Sequence, residues 1–365
     1  MRVLVVGDHF IPAARYIEAL AEVSSRDTGP DTGPGHGIGS GHGIGPVRDI
    51  TWSGTKAEQH AAQQEMELRG PDAVPVPGEI VEAVGDTEVL AVHFAPVSAR
   101  VLRAAPELRA VCVARTGLEN VDVAAATERG VAVVPVHGRN ASAVAELALG
   151  LMLSEARDIA RADASVKAGG WRKDFGGPGD EVGGGTVGMV GMGHVGRELA
   201  DRLRGFAVRL LVHDPYVPDA VLEHHGAERA ADLDTVFRES DAVHVLARLT
   251  PETERFIGPE QFALMKPTAY FFNTARSRLV DTGALYAVLA SGRIAGAGLD
   301  VHDEEPLPAD SPWRTLDNVT LTTHYGGDTV TTNERSARLV AGAVAELAAT
   351  GRCRGAVNAR ELEWM

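Results

Sequence analysis

The stretch TVGMVGMGHVGRELADRLRGF, residues 186–206, limits the fold more tightly than any other part of the chain. A short apolar run reads as a strand, enters Gly191-Met-Gly193-His194-Val195-Gly196, and continues as an amphipathic helical pattern. Each glycine of such a loop has a steric reason. Gly191 allows the tight turn, Gly193 lets the backbone approach a pyrophosphate, and Gly196 lets helix and strand pack closely. The start of the helix then offers unpaired N–H groups and a favourable dipole to an anion. A G-x-G-x-x-G alone would also suit a merely tight strand–helix turn. Here the next apolar run, VRLLVHD (208–214), ends in Asp214, 18 residues after Gly196. A carboxylate there can accept hydrogen bonds from the adenosine ribose hydroxyls. It would also repel a 2′-phosphate, so the expected cofactor is NAD rather than NADP.

Similar punctuation runs through the whole chain. Strand patterns recur at RVLVV (2–6), RDITW (48–52), VLAVHF (89–94), LRAVCVA (108–114) and VAVVPV (131–136), with helical stretches between them. A long helical run over 140–171 leads into a second series: 186–191, 208–214, AVHVLA (242–247), AYFFNT (269–274) and GAGLDV (296–301). Alternation of this kind predicts parallel-sheet α/β layers. A last helix is expected over about 332–350.

A second glycine-rich stretch, GHGIGSGHGIGP (35–46), invites the same nucleotide reading and does not support it. No three of its glycines fall at i, i+2 and i+5, and nothing downstream resembles a helix start. With DTGP and GHGIG each present twice, residues 27–46 have the composition of a flexible surface insertion. His36 and His42 lack closely spaced further ligands, so no metal is expected.

At 365 residues the chain has the length of two ordinary domains. Its formal net charge of −15 argues against a nucleic-acid partner, while leaving room for a small anion held by local arginines. Cys112 and Cys353 form no C-x-x-C, which fits neither a zinc ribbon nor a disulfide framework and suggests a reducing, cytoplasmic setting. The N-terminal MRVLVVG is followed by no cleavage signal, and the most apolar helix, around AVAELALGLML, contains Glu146 and is too short to span a bilayer. No membrane partner is expected.

Three further segments follow the glycine loop in order: LMKPTAYFFNTARSRLVD (264–281), GAGLDVHDEEPLP (296–308) and LTTHYGG (321–327). With LTPETERFIG (249–258) between, and PELRAVCVARTGLENVDVAAATERGVAV and GRNASAVAELALGLML upstream, the chain resembles the D-2-hydroxyacid dehydrogenase family over about residues 90–357. The resemblance implies two Rossmann-like, doubly wound parallel-sheet domains. An NAD domain, 140–325, is inserted into a flavodoxin-like substrate domain made of 1–139 and 326–365. It also implies a homodimer.

The family's motifs assign roles residue by residue. Arg276, in NTARS, matches the guanidinium that binds the substrate carboxylate and polarises the carbonyl. His324 matches the acid/base histidine, and Glu305 the carboxylate that pairs with it. Thr274 and Asp300 match cofactor positions beside Gly191, Gly193, His194, Val195, Gly196 and Asp214, Asp300 lying near the nicotinamide carboxamide. Arg115, Thr116 and Gly117 fall in the substrate loop, and His93 lies where the first domain of family members touches substrate. As single residues, His93, His244 and His302 read first as structural histidines. The implied function is NAD-dependent interconversion of a small 2-oxo acid and its D-2-hydroxy acid. A dehydrogenase of a phosphonate- or phosphite-type anion and an NAD-sensing corepressor are the alternatives.

The departures from the family pattern bear on the substrate. Ser277 replaces a glycine, Tyr325 an aliphatic residue and Arg248 a proline, and Arg115 occupies a position that is small in relatives. A guanidinium there must be solvated, paired internally, with Glu119 nearby, or matched by a second anionic group on the substrate.

Overall fold

The computed structural model describes residues 1–26, 43–176 and 181–364. The expected insertion 27–46, with His36 and His42, therefore lies outside the described residues except for 43–46. The chain divides into two compact units, Met1–Arg139 with Thr329–Met365, and Asn140–Asp328.

The first unit holds β1 (Val3–Gly7), β2 (Val47–Thr51), β3 (Val89–Val92), β4 (Ala110–Val113) and β5 (Ala132–Pro135). They form one parallel sheet in the order β2-β1-β3-β4-β5, the flavodoxin-like doubly wound arrangement. β1, β3, β4 and β5 are buried along their whole length, which is why they read as unbroken apolar runs. β2, at the sheet edge, is only partly covered and carries Arg48 and Asp49. The helix Ala13–Arg26 and the C-terminal helix Val330–Thr350 share one face of this sheet: Tyr16 and Leu20 pack in the same core as Val340, Val344 and Leu347. Asn358 ties the chain end to the sheet edge, its Oδ1 accepting from Val133 N at 3.0 Å and its Nδ2 donating to Val131 O at 2.9 Å.

The second unit holds β6 (Thr186–Val190), β7 (Arg209–His213), β8 (Ala227–Arg229), β9 (Ala242–Val245), β10 (Tyr270–Asn273), β11 (Gly296–Leu299) and β12 (Val319–Leu321). The sheet order is β8-β7-β6-β9-β10-β11-β12, all parallel, which is the dinucleotide-fold order extended by one strand. The chain reverses direction across the sheet between β6 and β9, the crevice where open α/β sheets receive ligands.

Two of these strands have no counterpart in the sequence pattern. β8 and β12 are three-residue edge strands with partial burial, too short to show a period. The helical run over 140–171 also divides, into Ala141–Ala156 and Ile159–Lys167. Asp158 between them takes a left-handed backbone, φ 55°, while buried Glu155 pairs with Arg161 at 3.2 Å. A pattern of helix-forming residues cannot reveal such a break, because a tertiary ion pair holds it.

Candidate active site

The glycine loop leaves β6 at Gly191, whose φ of 105° suits glycine. A Cβ there would lie 2.9 Å from Ala247 N, and one on Gly196 would lie 2.8 Å from Gly191 O. One on Gly193 would meet nothing within 4 Å. Gly191 and Gly196 are therefore required by the protein's own packing, whereas Gly193 borders open space at the start of the helix His194–Leu203. Gly193 and His194 are exposed, Val195 is half-buried and Gly196 is buried. A backbone cradle open at its middle glycine and backed by a helix N-terminus suits a pyrophosphate.

Asp214, just past β7, braces this loop. Its Oδ2 accepts from Met192 N at 2.8 Å, and its Oδ1 accepts from Tyr216 N at 2.9 Å and Val217 N at 3.2 Å. The carboxylate expected to meet a ribose thus also holds the loop's backbone. Thr274, following β10, is buried, and its hydroxyl has no partner among the described residues.

Arg276, Glu305 and His324 are carried by segments leaving the carboxyl ends of β10, β11 and β12, three consecutive strands of the sheet. The turn bearing Arg276 is pinned by Asn273, which accepts from Ala275 N at 3.0 Å and donates to Arg276 O at 2.9 Å. The guanidinium itself is exposed; its Nη1 donates to Ala275 O at 2.7 Å, and it has no carboxylate partner among the described residues. His324 Nδ1 lies 2.8 Å from Glu305 Oε2. Burial pushes the Glu305 carboxyl up, but the hydrogen bond and charge of His324, together with the His302 amide, outweigh it and hold the group below the ordinary glutamate range.

His324 has a φ of 55°, an uncommon backbone for a residue with a side chain. Asp300, almost wholly buried, secures the turn that follows. Its Oδ1 accepts from Thr322 Oγ1 at 2.6 Å and Tyr325 N at 3.2 Å, and its Oδ2 accepts from Gly326 N at 3.0 Å. Strain of this kind persists only where the surroundings over-determine it. The arrangement presents an imidazole with one nitrogen committed to a carboxylate, on the same sheet edge as a guanidinium that has no carboxylate partner among the described residues. An imidazole so held can give and take a proton, and an exposed guanidinium can bind a carboxylate.

In the first unit, His93 leaves β3 and lies beside Asp8, which leaves β1; its Nδ1 is 3.0 Å from Asp8 Oδ2. β1 and β3 are the neighbours between which this sheet reverses. Burial lowers His93 to about 4, against the pull of Asp8, so the imidazole is neutral. Burial raises Asp8, but His93 and the amides of Ile11 and Phe94 outweigh it, and the carboxylate stays charged. His93 Nε2 is then the unprotonated nitrogen, and it has no partner among the described residues.

Arg115 is paired within the unit, Nη2 lying 3.1 Å from Glu67 and 3.2 Å from Glu119, with its guanidinium over the Phe94 ring. Its Nη1 is buried and has no partner among the described residues. Thr116 Oγ1 donates to Val136 O at 3.2 Å, and a Cβ on Gly117 would strike the Glu119 carboxylate and Arg115. His244 lies wholly within the core of the second unit, stacked on Phe272, as a structural histidine does. Asp8 and Glu67 were not singled out by sequence. The available signal for Asp8 was its place at the carboxyl end of the first strand, where α/β sheets put ligand-binding groups.

Residues 149–326 match the family model described as D-isomer specific 2-hydroxyacid dehydrogenase, NAD binding domain. A glyoxylate reductase of Korarchaeum cryptofilum is 38% identical over 300 residues, covering 81% of this chain and 89% of that protein. A D-3-phosphoglycerate dehydrogenase of Methanocaldococcus jannaschii is 40% identical over 265 residues, covering 72% of this chain but only 50% of that protein, so this chain matches half the length of that relative. The crystal structure of a putative D-isomer specific 2-hydroxyacid dehydrogenase from Polaromonas superposes with a TM-score of 0.73 at 26% identity, covering 98% of this chain and 99% of the other. The fold and these matches define an NAD-binding α/β protein. The chain belongs to the D-isomer-specific 2-hydroxyacid dehydrogenase family.

Proposed function

We propose that this chain interconverts a small 2-oxo acid and the matching D-2-hydroxy acid with NAD. The observation that carries the reading is the Glu305–His324 pair, on segments leaving β11 and β12, with Arg276 on the segment leaving β10, the other neighbour of β11. Arg276 binds the substrate carboxylate through its planar fork and polarises the carbonyl. His324 gives a proton to the carbonyl oxygen during reduction and takes it back during oxidation. Glu305 holds Nδ1 and so orients the ring, with Nε2 as the nitrogen for proton transfer. Bound nicotinamide supplies the redox chemistry.

Gly191, Gly193, His194, Val195, Gly196, Asp214, Thr274 and Asp300 make up the proposed cofactor set, supported by the open space at Gly193 and by the Thr274 hydroxyl, which has no partner among the described residues. His93, Arg115, Thr116 and Gly117 make up the proposed substrate set, supported by His93 Nε2 and Arg115 Nη1, which have no partner among the described residues. In this reading residues 1–139 and 326–365 are the substrate domain and 140–325 the NAD domain. The relatives named glyoxylate reductase and D-3-phosphoglycerate dehydrogenase support a 2-oxo or 2-hydroxy acid as substrate, and do not favour the phosphite-type or corepressor alternatives.

The active form in this proposal is a homodimer. Ile159 and Val166, on the helix Ile159–Lys167, and Trp171 just beyond it are exposed apolar side chains of the kind a second copy would cover. A cytoplasmic setting accords with Cys112 and Cys353 as free, buried thiols. The test is NADH oxidation over a panel of plain, phosphorylated and phosphonylated 2-oxo acids. Turnover of any member supports the reading, and its absence across the panel in protein that binds NADH rejects it.

A further inference from the structure

Ladder pairing between β11 and β12 ends where Thr322 N donates to Leu299 O at 2.9 Å. Beyond that point the two chains become loops, one carrying Glu305 and the other His324. Nothing in ordinary sheet geometry keeps such loops in register, yet an acid/base pair needs its atoms held to a fraction of an ångström.

His302 spans the gap. Its backbone N donates to Glu305 Oε1 at 2.9 Å, and its Nε2 lies 2.8 Å from Thr322 O. A carbonyl oxygen only accepts, so Nε2 carries the proton. Thr322 is thereby held on three sides: by its amide to Leu299, by its hydroxyl to Asp300, and by its carbonyl to His302. His324 is two residues further on. The Glu305–His324 contact completes a closed circuit of hydrogen bonds through His302, Thr322 and the intervening backbone.

We propose that His302 is a positioning residue, its imidazole serving as a cross-loop clamp that sets the register of Glu305 against His324. This rests on the proposed function for its catalytic meaning, though not for its geometry. A side chain without a donor at that reach leaves Thr322 O to water and frees one loop to slide relative to the other. Shape alone does not replace the clamp; a donor is required. The amide that holds Glu305 belongs to the same residue, so displacement of the ring loosens both contacts together.

The first measurement uses the unmutated protein without cofactor or substrate. Imidazole nitrogen NMR at mildly alkaline pH is expected to show His302 as the Nε2–H tautomer, with that proton protected from exchange; an Nδ1–H tautomer overturns the clamp. The second compares His302→Phe with His302→Gln, whose amide can still donate to Thr322 O. Carbon NMR of the Glu305 carboxyl is expected to titrate at higher pH in the Phe variant, towards an ordinary glutamate, and to stay closer to its original midpoint in the Gln variant. In turnover, His302→Phe should lower kcat by about ten- to a hundredfold with little change in KM, and His302→Gln should fall between it and the unmutated enzyme. An unmoved Glu305 titration and equal kcat values in both variants reject the inference. Absence of turnover in the unmutated protein, with the tautomer and titration as expected, rejects the proposed function and leaves the clamp standing.

Discussion

His324 Nδ1 and Glu305 Oε2 lie 2.8 Å apart although 19 residues separate them in sequence. The contact exists because β11 and β12 are parallel neighbours, so the segments leaving their carboxyl ends emerge side by side. A carboxylate at one ring nitrogen fixes the imidazole's orientation and leaves the other nitrogen for chemistry.

His324→Ala is expected to lower kcat by about 10²–10⁴-fold, the usual contribution of a positioned acid/base group. NADH affinity, read by fluorescence titration, should stay near that of the unmutated protein, because the glycine loop and Asp214 are untouched. Near-normal turnover would remove His324 from the mechanism.

Glu305→Gln should show itself in the pH dependence of stability. The Glu305 carboxyl is held below its ordinary value near 4.5 in the folded protein, burial being outweighed by His324 and the His302 amide. A depressed carboxyl contributes stability above the unfolded value and loses it as pH falls through the folded value. The unmutated protein should therefore exceed Glu305→Gln by about 1–3 kcal/mol near neutrality. Urea unfolding at a series of pH values should show that margin shrinking below the ordinary glutamate value. A margin that grew on acidification would contradict the assignment.

Gly191→Ala and Gly193→Ala should fail in different ways. A methyl on Gly191 meets Ala247 N at 2.9 Å on a backbone at φ 105°, so the variant should lose thermal stability by several degrees. A methyl on Gly193 meets no protein atom within 4 Å, so Tm should be nearly unchanged while NAD affinity drops. Calorimetry with and without NAD separates the two. Equal NAD affinity in Gly193→Ala and the unmutated protein would show that the open space is not the pyrophosphate site.

Asp214→Ala should weaken NAD binding by about ten- to a hundredfold, the range for hydrogen bonds to a charged acceptor. Part of that loss comes from the glycine loop, since Met192 N gives up its acceptor. The preference for NAD over NADP should narrow as well, because the repulsion of a 2′-phosphate is gone. Titration of both cofactors checks this. An unmutated protein that already preferred NADPH would refute the ribose role of Asp214.

Short-range regularities were legible directly. Unbroken apolar runs announced the buried parallel strands, and the spacing of Gly191, Gly193 and Gly196 announced a turn, an open cradle and a close packing contact. Those properties reside in a few consecutive residues, where sterics alone decide. Arg276, Glu305 and His324 were legible only as motifs, because nothing within each segment says what it will meet. Tertiary structure decided the meetings: His302 with Thr322, Asp8 with His93, Arg115 with Glu67, and Glu155 with Arg161 at the helix break. Most of these contacts join groups on different strands, loops or helices. Their energies depend on burial and on distances that exist only once the sheets have formed, so no local pattern of residues carries their signature. The sequence by itself determined the layers and the chemistry available at their edges. Within each sheet, the strand order determined which of those groups emerge on neighbouring segments.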